Sequence, residues 1–568
     1  MATNDLIFLL IFLLITMILA VPIGKYMSRV FTGQKTFMTP LIRPAESLIY
    51  RVVGVDEKEE MNWKQYAYAL IIFNIIAILF VFALQLLQGF LPLNPQGFSG
   101  VRWDTALNTA ISFVTNTNWQ SYAGETTMSY LTQMMGLAVQ NFVSAAVGIA
   151  TILVLIRGFT RKNTENLGNF WVDMTRSVLY ILLPLSLILA LILVSQGVVQ
   201  TFDPYVTAQT IEGTNQTIPL GPAASQIAIK MLGSNGGGFF NVNSAHPFEN
   251  PNNITNLFET LAILLLPMAL VFTFGYLIRN FKQGLAIFSV MMILFVMGLG
   301  VALWSEDQTN PIIKKMGVSS GNLEGKEVRF GVGESATWGV ATTIVSNGGV
   351  NMMHDSAMPL TGLVFMFNIA TGEVIFGGLG VGLAGMLFYV ILTMFIAGLM
   401  IGRTPEFLGK KLGPPEMTLA VIPIVLPHAA ILTLAAIAIS IPDGLTGLNN
   451  PSAHGMSEIL YAYLSTIGNN GSAFAGLSAN TVFYNLTGGL AMLIGRFATI
   501  IPAIAMAGLL AKKGKVPMSA ASFPTTGPLF VILVVGVVIL LGALTFFSVF
   551  ALGPGLDHLF MQGGNITS

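Results

Sequence analysis

The chain has 568 residues, of which 54% are hydrophobic and only 9% are charged. Soluble globular proteins carry about 25% charged residues, so this composition excludes a water-soluble fold. The net charge is zero, which argues against a nucleic-acid partner. The chain has no cysteine, which excludes disulfides, thiolate metal sites and thiol catalysis.

Ten apolar segments are long enough to cross a hydrocarbon core of about 30 Å as helices. The first is followed by Lys25 and Arg29 and has no basic residue before it, the reverse of a signal peptide. We therefore predict that it is retained, with its N-terminus outside. The predicted spans are residues 5–27, 65–90, 127–156, 177–200, 256–278, 284–304, 372–402, 417–441, 481–511 and 525–551.

The basic residues test this orientation. With the N-terminus outside, 19 of the 26 Lys and Arg residues fall in inner segments, while Arg496 falls within a span. Cytoplasmic loops of membrane proteins carry an excess of Lys and Arg. The sequence therefore predicts that both termini are external.

Each of the four long outer segments contains a short apolar stretch and then a turn rich in Gly and Asn. The turns align on Asn116, Asn235, Asn347 and Asn470, at separations of 119, 112 and 123 residues. This repetition predicts a unit of span, half-helix, turn and span, repeated four times with one extra span at each end. The predicted half-helices are residues 104–113, 223–232, 335–344 and 457–467.

The predicted fold class is an all-α polytopic membrane protein with four membrane–pore–membrane pseudo-repeats around a selectivity filter. The predicted organisation is an N-terminal span with a cytoplasmic segment (1–60), pore repeats 1 to 4 (61–163, 164–282, 283–412 and 413–515) and a C-terminal span (516–568).

A glycine-rich turn at the end of a half-helix is suited to a cation. The helix C-terminus carries about half a negative charge, and Gly permits backbone conformations that other residues avoid. Four such turns around an axis would present carbonyl oxygens that replace a cation's hydration shell. A single Gly/Asn turn would be an ordinary connecting loop, but four such turns at nearly constant spacing favour a filter. No Lys follows any of these turns, which excludes a phosphate-binding P-loop.

Four motifs carry a family resemblance. These are TNTNWQSYAGE (115–125), NGGGFFNVNSAHPFENP (235–251), NMMHDSAMPL (351–360) and NNGSAFAGL (469–477). Together they closely resemble the potassium-translocating A subunit of the bacterial Kdp potassium-transporting ATPase, from one end of the chain to the other. The resemblance implies the architecture of the superfamily of potassium transporters, potassium as the bound ion and a multi-pass location in the bacterial inner membrane.

The resemblance also implies partners. These would be a P-type ATPase catalytic subunit like KdpB, an accessory subunit like KdpC and a small subunit like KdpF, in contact with membrane lipid. The sequence itself contains neither a Walker motif nor a D-K-T-G phosphorylation loop, which agrees with an ATPase site on another subunit. The energy for transport is therefore expected to come from a partner.

The predicted potassium ligands are the residues of the four turns. They are Thr115, Asn116, Thr117 and Asn118; Ser234, Asn235, Gly236 and Gly237; Ser346, Asn347, Gly348 and Gly349; and Asn469, Asn470, Gly471 and Ser472. In repeats two to four a Gly follows the aligned Asn, whereas repeat one has Thr117 there. We therefore expect a ring without perfect four-fold symmetry.

Two features are predicted to form a gate below the filter. The span 372–402 contains a glycine segment with Gly377, Gly378, Gly380, Gly382 and Gly385. Such a segment suits either close helix packing or a broken helix along a transport pathway, and the resemblance favours the second. Arg496 lies in mid-span, where a charge is costly and usually faces an interior cavity. We expect a hydrogen-bonded latch between the two.

Acidic residues could attract cations to the external mouth. Glu373 and Asp355 are the candidates, although solvated carboxylates in outer loops are equally common.

The predicted function is a potassium-binding and translocating subunit of an ATP-driven uptake complex. A stand-alone potassium channel or a secondary potassium transporter of the same architecture is the first alternative. A membrane enzyme or an assembly scaffold is the second.

Overall fold

The described chain is an α-helical bundle with ten helices long and apolar enough to cross a membrane. This computed structural model describes residues 3–318, 321–372, 374–400, 402, 405–516 and 523–564. Glu373, considered above as a cation attractor, and Arg403, one of the inner basic residues, lie outside the described residues.

The N-terminal part and repeat one end in a long buried helix. A π-helical segment (Thr132–Ala138) precedes that helix, and the two form one span, Thr132–Thr160. The side chain of Asn62 starts α3 by accepting hydrogen bonds from the amides of Lys64 and Gln65. The helices are α1 (Thr3–Phe31), α2 (Thr39–Val53), α3 (Trp63–Leu87), α4 (Trp103–Val114), α5 (Gly124–Thr127) and α6 (Val139–Thr160).

Repeat two contains a span with a π-helical middle, Ser177–Leu182, and an exposed β-hairpin before its half-helix. The side chain of Asn252 caps α10 by accepting from the amides of Ile254 and Thr255. The elements are α7 (Phe170–Arg176), α8 (Leu183–Ser195), β1 (Val206–Gln209), β2 (Asn215–Ile218), α9 (Ala223–Leu232) and α10 (Asn253–Leu277).

The second span of repeat three, predicted over 372–402, is broken, which is the arrangement that the sequence analysis favoured for its glycine segment. Residues 371–372 and 374–380 are irregular and separate a 12-residue helix from a longer one that begins at Val381. The elements are α11 (Phe281–Glu306), α12 (Pro311–Lys315), α13 (Gly331–Ile344), α14 (Pro359–Ala370), α15 (Val381–Met400), β3 (Glu406–Phe407) and β4 (Lys410–Lys411).

Repeat four and the C-terminal part complete the bundle. A π-helical segment, Ala551–Gly555, links the last two helices into one long element. The helices are α16 (Pro414–Ser440), α17 (Pro442–Leu445), α18 (Ser452–Gly468), α19 (Val482–Lys512), α20 (Pro528–Phe550) and α21 (Leu556–Gln562).

The second spans of the repeats form the interior of the bundle. Most of the apolar part of α6 and of α10 is buried inside the protein, whereas α3, α16 and α20 leave most of theirs exposed. In a membrane protein such exposed apolar faces are the ones that meet lipid. The four half-helices α4, α9, α13 and α18 are therefore surrounded by protein, which allows irregular backbone to follow them.

Candidate ion-binding site

The four half-helices end in turns that are closed in the same way. In each, one amide donates a hydrogen bond to the carbonyl oxygen five residues earlier, which folds the chain back on the helix end. The donor and acceptor pairs are Thr117 and Ser112 (2.9 Å), Asn235 and Lys230 (2.9 Å), Asn347 and Thr342 (3.1 Å), and Asn470 and Ser465 (2.8 Å).

These bonds correct the register of repeat one. Thr117, not Asn116, is the structural equivalent of Asn235, Asn347 and Asn470. The residue before each of them has a left-handed conformation, with φ of 68° at Asn116, 49° at Ser234, 57° at Ser346 and 56° at Asn469.

The corrected register also removes the mismatch at Thr117. The equivalent of Gly236, Gly348 and Gly471 is Asn118, whose φ is 57°. Asn is among the few residues other than Gly that adopt the left-handed region without a large penalty. In repeats three and four this position has φ of 80° at Gly348 and 101° at Gly471. Repeat one therefore keeps the turn with a different residue.

Carbonyl oxygens from repeats one, three and four lie close together beside Gly236, which belongs to repeat two. A methyl group added to Gly236 would lie 2.8 Å from the carbonyl oxygen of Asn347, 3.1 Å from that of Thr117 and 3.2 Å from that of Asn470. Gly236 is itself bonded to the carbonyl group of Asn235. We call the carbonyl groups of Thr117, Asn235, Asn347 and Asn470 the carbonyl cluster.

Hydrogen bonds around this cluster join the first turn to the second, the third to the fourth, and the fourth to the first. Asn116 Nδ2 donates to the carbonyl oxygen of Ser234, at 2.8 Å. Ser346 Oγ donates to the carbonyl oxygen of Asn469, also at 2.8 Å. Asn469 Nδ2 donates to Thr117 Oγ1 at 2.9 Å, which returns to repeat one.

Side chains around the turns hold the backbone of the turns in place. Asn347 Oδ1 accepts from the amide of Gly349, and Asn470 Oδ1 accepts from the amide of Ser472, each at 3.0 Å. Trp338 Nε1, on α13, donates to the carbonyl oxygen of Gly349 at 2.8 Å. Preorganised carbonyls of this kind can replace water around a cation.

A vestibule opens onto the turns. Its cavity measures about 420 Å³ and is lined by residues from all four turns, among them Asn118, Gly237, Gly348 and Gly471. His354 also lines it, and burial together with the neighbouring Lys326 lowers the pKa of His354 to about 3. The imidazole is therefore neutral at physiological pH and adds no positive charge to the entrance.

The glycine segment lies directly against the third turn. The amide of Gly377 donates to the carbonyl oxygen of Ile344 at 2.9 Å, and a methyl group on Gly378 would lie 3.1 Å from Ser346 Cβ. The φ angles of Gly377 and Gly380 are 64° and 85°. The first part of the segment is thus irregular backbone before α15, whereas Gly382 and Gly385 lie within that helix.

Arg496 is buried on α19, with 3% of its surface exposed. Its Nη2 donates to the carbonyl oxygen of Ser144 on α6 at 2.7 Å, and Ser144 Oγ donates to Asn116 Oδ1 at 2.8 Å. The latch expected between Arg496 and the glycine segment is absent from the hydrogen bonds of the described residues. The arginine is instead connected to the first turn.

The sequence analysis did not find several residues that support these contacts. Ser144 and Asn141, which accepts from Asn118 Nδ2, lie on α6 in an apolar stretch with no special spacing. Gly495 allows α19 to approach the carbonyl oxygen of Ile467 at the end of α18, because a methyl group there would overlap that atom. Only the neighbourhood of Arg496 could have drawn attention to Gly495.

Asp355 is not a free carboxylate at the mouth. Its Oδ1 lies 3.1 Å from His454 Nε2, and Asp557 Oδ2 lies 2.9 Å from His454 Nδ1. Burial opposes ionisation of this imidazole, but the two aspartates outweigh it and raise the pKa of His454 to about 10. His454 and Asp557 were not singled out from the sequence.

The comparisons with known proteins agree with this architecture. The family described as "KdpA: Potassium-transporting ATPase A subunit" matches residues 10–559. The chain belongs to this family.

Its relatives match over almost their whole length. A protein of Pseudomonas putida named "Potassium-transporting ATPase potassium-binding subunit" is 55% identical over 560 residues, covering 98% of this chain and 99% of that protein. A protein of Brucella anthropi with the same name is 53% identical over 566 residues and is fully covered. Among solved structures, the potassium transporter TrkH from Vibrio parahaemolyticus has a TM-score of 0.50 at 13% identity, covering 88% of this chain and 98% of that one, which shows a shared fold.

Proposed function

We propose that this chain binds potassium from outside the cell in the carbonyl cluster and passes it on for transport into the cytoplasm. The observation that carries the proposal is the convergence of carbonyl oxygens from three repeats beside Gly236. The vestibule gives an ion access to these oxygens, and the names of the relatives supply the identity of the ion.

The proposal includes the full set of turn residues as the potassium filter. Backbone carbonyls perform the dehydration, so the side chains of the turns act by holding the backbone in place. Potassium is the transported ion and not a permanent cofactor.

The proposal also includes an ATP-hydrolysing partner. The sequence contains no nucleotide-binding motif, and the relatives are named as subunits of an ATPase. The specific partners would be a P-type catalytic subunit like KdpB and the smaller subunits like KdpC and KdpF. The complex would lie in the bacterial inner membrane with both termini of this chain outside, as the basic residues predict.

A gate beneath the carbonyl cluster completes the proposal. The contact of Gly377 with Ile344 puts the glycine segment beside the third turn, and Arg496 brings a positive charge close to the first. Both would oppose free leakage of cations toward the cytoplasm. A driven transporter needs such a barrier, because an open pore would dissipate the gradient that the ATPase creates.

A binding measurement tests the proposed function. The whole complex, purified in detergent, is titrated with K⁺ in a Na⁺ background, and K⁺-stimulated ATP hydrolysis is followed in parallel. We expect saturable K⁺ binding, discrimination against Na⁺ and co-purification of an ATPase subunit. A stand-alone channel would purify by itself, and a scaffold would bind no K⁺.

A further inference from the structure

A cluster of three metal-ligating side chains lies outside the carbonyl cluster. Asp355 belongs to the short 3-10 helix after the third turn, while His454 and Glu458 lie one helical turn apart at the start of α18. Each offers one ligand atom, and these atoms all lie within 4.8 Å of one another. Among the described residues this is the one such group of His, Asp and Glu side chains.

The orientation of His454 is the one found in metal ligands. Its Nε2 faces Asp355, while its Nδ1 is held by Asp557 Oδ2 at 2.9 Å. A carboxylate on the far nitrogen fixes the tautomer and the ring plane of a metal-binding histidine. The ring of Phe474 also stacks on His454, with a centroid distance of 6.2 Å and an interplanar angle of 17°.

Glu458 supplies a second, independent observation. Its side chain is fully buried, and its Oε1 accepts from Asn450 Nδ2 at 2.6 Å. Its Oε2 is buried without any hydrogen-bond partner. A buried carboxylate oxygen without a partner is costly, and a cation is the partner that such an atom suits.

Gly476 keeps the space between the ligands open. A methyl group added there would overlap Glu458 Oε1 and lie 2.7 Å from Asp355 Oδ2. The φ of Gly476 lies outside the left-handed region, so alanine meets no backbone obstacle at this position. Replacing Gly476 by alanine therefore requires no unusual backbone conformation, but its methyl group would displace the ligand side chains from the space between them.

We propose that Asp355, His454 and Glu458 bind one divalent transition-metal ion, with Asp557 as the residue that positions His454. Two carboxylate oxygens and one imidazole nitrogen suit Zn²⁺, whereas Mg²⁺ and Ca²⁺ prefer oxygen ligands alone. The ion would join the loop after the third turn to α18 and, through Asp557, to α21. It would thus brace the outer ends of repeats three and four independently of potassium.

Zinc binding to the purified, untagged complex tests the site. The complex is stripped with EDTA, equilibrated with Zn²⁺ in the presence of excess Mg²⁺, and passed through a desalting column before metal analysis. We expect one Zn²⁺ per copy of this chain and a rise in its unfolding temperature. The exposed hairpin variant Glu212→Gln serves as the matched control and should bind Zn²⁺ like the wild type.

Three variants address the ligands separately. Glu458→Gln and Gly476→Ala should abolish stoichiometric binding, the first by removing a ligand charge and the second by filling the space. Asp557→Asn should weaken binding by about tenfold, because it removes the carboxylate that orients His454. Unchanged Zn²⁺ affinity in both Glu458→Gln and Gly476→Ala would overturn the proposal.

Cobalt substitution in the wild type removes any dependence on how the variants fold. Co²⁺ bound by nitrogen and oxygen ligands gives visible d–d absorption bands, and Zn²⁺ should displace it. If the wild-type complex shows neither these bands nor stoichiometric Zn²⁺, the cluster is a metal-free ion triad in which protonated His454 bridges Asp355 and Asp557. That result would overturn the proposal and leave the potassium function untouched.

Discussion

Gly236 lies beside carbonyl oxygens from the three other repeats, and it gives the most direct test at the residue scale. In Gly236→Ala the new methyl group would lie 2.8 Å from the Asn347 carbonyl oxygen, so that the carbonyl cluster must widen. We expect K⁺ affinity to fall by about tenfold, equivalent to about 1.4 kcal/mol, with a loss of discrimination against Na⁺. Titration of the complex with K⁺ in a Na⁺ background measures both.

Gly300→Ala is the control for this substitution. Gly300 lies on α11 with no atom within 4 Å of an added methyl group, so its alanine variant should bind K⁺ normally. Equal affinities for the two variants would mean that the space beside Gly236 does not decide binding.

Arg496 carries a second prediction at this scale. Arg496→Met keeps most of the side-chain volume but removes the charge and the hydrogen bond to Ser144. We expect impaired ATP-driven uptake with retained K⁺ binding, because the carbonyl cluster is untouched. Arg496→Lys should restore part of the uptake, since it keeps the charge. If uptake by the two variants is equally poor, the guanidinium geometry matters and the charge does not.

At the scale of elements, the break between α14 and α15 is the feature to test. The irregular residues 374–380 are held against the third turn by the hydrogen bond from the amide of Gly377 to the carbonyl oxygen of Ile344. Deleting Gly377, Gly378 and Leu379 removes this contact and should raise passive K⁺ flux. The measurement is K⁺ efflux from vesicles containing the complex without ATP.

A deletion of equal length provides the comparison. Residues 211–213 form the exposed tip of the β1–β2 hairpin, and their removal should leave passive flux unchanged. If the glycine-segment deletion leaks no more than the hairpin deletion, the segment is not the gate.

At the scale of the whole molecule, the chain should be unable to use ATP alone. Its sequence contains no phosphate-binding loop. None of the four Gly/Asn turns is followed by the lysine that such a loop uses to contact the phosphates of ATP. We expect no ATP hydrolysis from the isolated chain and K⁺-stimulated hydrolysis from the assembled complex. Phosphate release by both preparations, at matched concentrations of this chain, is the measurement. ATP hydrolysis by the isolated chain, free of other subunits, would contradict the prediction that a partner subunit hydrolyses ATP.

Local patterns in the sequence were sufficient to predict the ten apolar helices and the four half-helices. The structure confirms α9 at residues 223–232 as predicted, and α4 and α18 contain the stretches expected for them. This is possible because the hydrophobicity and length of a spanning helix are properties of consecutive residues. The division into repeats with particular limits, and the role of each turn residue in binding potassium, stay predictions.

Features that depend on distant residues were decided only by the tertiary structure. The register of repeat one follows from the hydrogen bond between Thr117 and Ser112, which an alignment on asparagines missed by one residue. The partner of Arg496 is a backbone carbonyl 352 residues away, and His454 meets Asp355 and Asp557 across 99 and 103 residues. Such contacts are created by packing and leave no periodic trace in the sequence, so hydrophobic patterns predicted the helices but not the atoms that meet between them.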